Sequence, residues 1–95
     1  MAISDDNKKF LDDLIQYYIN ESESYKQFAN EYKEFSKSEM DVAFGLIVGT
    51  MYSAFLQTYA NQQLEVGLDD IQEFHEFIKS NAAQIKESLE KNEDW

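Results

Sequence analysis

The 23 residues from Val42 to Leu64 carry no charged side chain and no proline. The whole chain has 95 residues, 19 carboxylates and eight lysines, for a formal charge of -11, so this neutral gap constrains the fold more than any other feature. From Val42 to Leu56 only Gly45, Gly49, Thr50 and Ser53 interrupt an apolar run. A segment apolar on nearly all sides is a helix that neighbours must cover on nearly all sides. A chain of 11.1 kDa has little material for that, because surface scaling gives roughly 5,600 Å² folded against roughly 16,000 Å² extended, about two-thirds buried.

Two readings compete for the segment, a membrane span and the central helix of a small bundle. Its last third, Gln57 to Gln63, is strongly polar, and Lys37 is the only basic residue near either end. The apolar part is therefore short for a bilayer and lacks orienting charges. The bundle reading is adopted, with no membrane association. On a helical wheel Phe44, Ile47, Val48, Met51, Phe55 and Tyr59 form a bulky side. Gly45, Gly49, Ser53, Leu56 and Ala60 form a second, mostly small one. Small residues in line let another helix backbone approach closely, either a helix of the same chain or one of a second copy.

The rest of the chain is also helical in its spacing. Ser4 is placed to cap a first helix, with Asp5 and Asp6 at its positive dipole end. Phe10, Leu11, Leu14, Tyr18, Tyr25, Phe28, Tyr32 and Phe35 then recur at threes and fours on one face. Asn and Ser in the stretch Asn20 to Ser24 suit a turn between two short helices, but because phase is kept across it, one helix over about 5–36, with room for a bend near Ser22, is the expectation. Ser38, with Asp41 three residues on, resembles a capping box and opens a second helix, about 39–64. Gly67 is expected to supply a turn with positive φ before a third, about 68–91, whose stripe is Ile71, Phe74, Ile78, Ala82, Ile85 and Leu89. Phe77 stands about 100° off that stripe, either packed against the first helix or touching a partner. The fold expected is all-α, one helical domain over 1–95, with helix two central and buried. Because two neighbours are too few to surround it, a homodimer is expected, with Gly45, Gly49, Ser53, Leu56, Ala60 and Phe77 as candidate interface residues.

Chemistry is poorly supported. The absence of cysteine excludes disulfides, cysteine-ligated zinc and a thiol nucleophile. No arginine is present, and an acidic chain without a basic stripe is a poor direct ligand for nucleic acid. His75 is the single histidine, with Gln72 where a Glu-x-x-His pair would need glutamate, so it reads as a packed residue at the core edge. Asp69, Glu73 and Glu76 line one helix face, which alone does not wrap a metal ion, and a solvated acidic face is the simpler account. No catalytic residue, metal or cofactor is assigned. The expectation is a non-enzymatic, cytoplasmic interaction or assembly module that binds itself and further protein partners. An acidic mimic of nucleic acid is the alternative, weakened by charge spread about evenly over both halves. A carboxylate metal site formed across a dimer is third. The aromatic stretch 25–35 is the first place to look for exposed rings.

Overall fold

A computed structural model describes residues 2–91. Among them are α1 (Asp5–Asn20), α2 (Ser22–Glu31), a 3-10 turn (Lys33–Phe35), α3 (Glu39–Asn61) and α4 (Leu68–Glu90), with no strand. The chain is all-helical as expected, but with four helices rather than three. Trp95 lies outside the described residues.

Ser4 caps α1 as its position implies, its hydroxyl accepting the Asn7 N–H at 3.2 Å. The expected continuous first helix breaks at Glu21, whose φ of -100° and ψ of 15° leave the helical region. Beyond the break the buried side changes. In α1 the predicted stripe is inside at Leu11 and Tyr18, joined by Ile15. In α2 the buried residues are Ser22, Lys26 and Ala29, and the predicted core residues Phe28, Tyr32 and Phe35 are exposed. Small Ser22 allows close approach to α4, where its hydroxyl donates to the Ser88 carbonyl at 3.2 Å. That contact fixes α2 in a phase the hydrophobic spacing does not foretell.

Ser38 caps α3, accepting the Asp41 N–H at 3.1 Å. Helix α3 then buries Ala43, Ile47, Met51, Phe55 and Tyr59, every fourth residue, and touches all three other helices. It is central, as expected. It is not surrounded, because Gly45, Gly49, Ser53, Gln57 and Ala60 are exposed along its opposite side. From α4, Phe74, Ile78, Ile85 and Leu89 complete the core, while Ile71 and Ala82 are half-buried. Phe55 and Phe74 are in ring contact at 4.9 Å between centroids.

The turn out of α3 also differs from expectation. Gly67 has φ -86°, an ordinary extended value, and among the described residues the one non-glycine residue with positive φ is Gln63 at 59°. Gln63 donates its N–H to the Ala60 carbonyl at 3.0 Å, and Leu64 donates to Tyr59 at 2.9 Å. These are the paired bonds of a Schellman motif, here with glutamine in the left-handed seat that glycine usually takes. Helix α3 therefore stops at Asn61 rather than Leu64. Gly67 instead precedes α4 as its cap, its N–H donating to Asp70 Oδ2 at 2.8 Å. Replacing Gln63 with glycine relieves a left-handed cost of about 1–2 kcal/mol and returns about 0.5–1 kcal/mol in unfolded-chain entropy. Gln63→Gly should thus raise the urea midpoint by the equivalent of roughly 0.5–1 kcal/mol with an unchanged slope.

Candidate protein-interaction surfaces

The exposed side of α3 carries Gly45, Gly49, Ser53, Gln57 and Ala60. Leu56 is half-buried and packs against the core. A methyl group built on Gly45 or Gly49 meets no atom within 4 Å. Close packing inside this chain therefore gives no reason for glycine at either place, although each costs about 1 kcal/mol of helix stability relative to alanine. The two threonine hydroxyls of α3 are satisfied within the helix, Thr50 donating to the Leu46 carbonyl at 2.7 Å and Thr58 to Ala54 at 2.9 Å. What remains is a shallow, neutral strip along a helix of 23 residues.

Phe77 belongs to a different environment from the rest of the predicted interface. It is 9% exposed, and the Lys8 ammonium lies 5.8 Å from its ring centroid, so its contact is with α1. Beside it runs an open groove of about 640 Å³ lined by Asp69, Glu73, Glu76 and Lys8. Glu73 is engaged there: one carboxylate oxygen accepts the N–H groups of Ala2 at 2.8 Å and Ile3 at 3.0 Å. That clasp seats Ile3, 3% exposed, in the core, a role its polar flanks conceal in the sequence. His75 is exposed and lies flat against Tyr52, with ring centroids 6.2 Å apart. Among the described residues no three histidine or carboxylate side chains converge as metal ligands.

The second open apolar surface is the one that sequence reasoning assigned to the core. Phe28 and Tyr32 are each 48% exposed, with ring centroids 5.3 Å apart, and Phe35 in the following turn is 80% exposed. Its only advance signal was the density of aromatic residues between 25 and 35.

Comparison with known proteins adds no relative: no family model, curated protein or solved structure matches the chain.

Two tyrosines have their ionisation shifted by the fold. Burial, and then a hydrogen bond from the Tyr59 hydroxyl to Asp70 Oδ1 at 3.0 Å, push Tyr59 up to about 12. Burial also pushes Tyr25, against Tyr18, up to about 12. A folded-state value above the unfolded one means that the unfolded chain releases these protons first, so stability is full below pH 10 and is lost as pH rises towards 12. Alkaline titration at 295 nm should show at least two tyrosines ionising late, together with the loss of helical circular dichroism. Six tyrosines titrating near pH 10 with the helices intact would contradict this.

Proposed function

We propose that this protein is a non-enzymatic assembly module that pairs with a second copy of itself through the exposed strip of α3. The observation that carries the reading is the pair Gly45 and Gly49, which open space surrounds. Two helix-interior glycines cost about 2 kcal/mol together. A closely approaching helix backbone gives that cost a use, because removing side chains along one line lets two helices meet at short range.

The strip suits protein better than lipid. By length and composition α3 is long and apolar enough to cross a bilayer, with a mean hydropathy of 1.3. Its outermost positions, however, are glycine, serine, glutamine and alanine rather than the large aliphatic residues that hydrocarbon favours. The folded surface, 6336 Å², exceeds the roughly 5,600 Å² expected for a monomer of this mass. A second copy lowers that exposure. With a two-fold axis near Gly49, the two strips run antiparallel, separating the Glu39 and Asp41 ends of the chains and setting opposite helix dipoles side by side.

Light scattering over a dilution series should then show a dimer that dissociates. Added salt should tighten it, because screening weakens the repulsion between two chains of charge -11. Gly49→Leu should be monomeric yet fully helical, since leucine fits the space around one chain and blocks the approach of another. A wild-type protein that stays monomeric at tens of micromolar, or a Gly49→Leu variant that pairs as tightly, would overturn the proposal.

A further inference from the structure

We propose that the outward face of α2 and the turn after it form a docking surface for a basic amphipathic segment of another protein. The face is unusual in its phase. Helix α2 turns Ser22, Lys26 and Ala29 inward and leaves Phe28 and Tyr32 to solvent, with Phe35 continuing the patch. Taking about 200 Å² for each aromatic side chain, the three rings present on the order of 350 Å² of apolar surface. That is the size of a functional patch on a small monomer. Nothing among the described residues covers it, and a helix that buries Ser22, Lys26 and Ala29 while leaving Phe28 to solvent departs from the consistency that a structural role produces.

Charge selects the occupant. At 100° per residue Glu31 falls about 60° from Phe28 on the α2 wheel, and Glu34 follows in the turn next to Phe35. Both are exposed. The one lysine in α2, Lys26, lies about 160° from Phe28 on that wheel and is 6% exposed. With the exposed Lys33 of the turn set against these two carboxylates, the surface stays net acidic and offers aromatic rings, whose electron-rich faces attract ammonium and guanidinium groups, together with carboxylates that pair with them. A segment with leucine-like residues on one side and lysine or arginine beside them matches both elements. A second copy of this chain does not, since it brings carboxylates to carboxylates.

The test uses the full chain and a fluorescent 18-residue peptide of leucine and lysine in helical i, i+3, i+4 spacing, with a leucine and glutamate peptide of the same pattern as control. The wild type should bind the lysine peptide saturably in the micromolar range and bind the glutamate peptide at least tenfold more weakly. Replacing Phe28, Tyr32 and Phe35 together with serine should weaken lysine-peptide binding tenfold or more. Phe35→Ser alone, at the most exposed of the three, gives a measurable part of that loss and stands in if the triple variant does not fold. Gly49→Leu should bind the peptide like the wild type, which separates this surface from the α3 strip. Absence of saturable binding, equal binding of the two peptides, or full affinity in the serine variants would overturn the proposal. So would a change of oligomeric state on serine replacement, because the patch would then be covered by a second copy.

Discussion

The structure depends on one stripe of α3, Ala43, Ile47, Met51, Phe55 and Tyr59, buried in a helix that is otherwise open along one side. A spacing of four drifts by about 40° at each step, so the stripe winds part of the way round the helix as it descends. That winding lets three other helices reach α3 from one hemisphere. It also means that the opposite hemisphere has no neighbour to meet. The core is deep where Phe55 and Phe74 pack at a tilt of 32° with ring centroids 4.9 Å apart, and it ends abruptly at the Gly45, Gly49 and Ser53 line.

Polar chemistry closes one end of this arrangement. Asp70 serves α3 and α4 together, one oxygen accepting the Gly67 N–H and the other the Tyr59 hydroxyl. Nearby, Asn7 and Gln62 exchange two amide hydrogen bonds, at 3.0 and 2.8 Å, tying the start of α1 to the residue after α3. Two-sided amide pairs leave neither partner with an unmatched donor or acceptor in the contact. The ion pairs of Lys9 with Asp13 at 3.7 Å and of Lys86 with Asp41 at 3.9 Å are long and exposed, and so contribute little. Order at the end of α3 thus comes from neutral and carboxylate hydrogen bonds rather than from charge pairing.

What was legible in the sequence follows from this division. The all-helical character, the Ser4 and Ser38 caps, the bulky side of α3 and most of the α4 stripe were readable, because each is fixed by residues within one or two turns. The inward phase of α2 was not readable, because the break at Glu21 resets the wheel and a long-range contact, Ser22 to Ser88, chooses the new phase. The left-handed turn residue was missed for a related reason. Gly67 is the natural candidate by type, but the Schellman bonds select whichever residue follows the α3 cap, and that is Gln63. Glu73 looked like part of a solvated acidic strip, and its clasp on Ala2 and Ile3 joins positions about 70 residues apart, beyond any local pattern. Of the candidate interface, the small residues of α3 could be placed on one face by spacing alone. The burial of Phe77 under Lys8 needed the packing of α1.

The two open apolar surfaces differ in one property that matters on a chain of charge -11. The α3 strip lies within the neutral 23 residues and brings no carboxylate to a contact. The α2 face and the turn after it carry Glu31 and Glu34 along with the rings. Like chains meeting at the strip feel only the screened field of the whole molecule, which falls off within about 8–10 Å at moderate salt. Like chains meeting at the α2 face set carboxylate against carboxylate at contact distance, where screening helps least. The same charge that makes the second surface unfavourable for self-contact makes it attractive to a basic partner. The distribution of acid, more than its total, therefore separates the two proposed contacts: a copy of the chain where charge is absent, a basic segment where it is present.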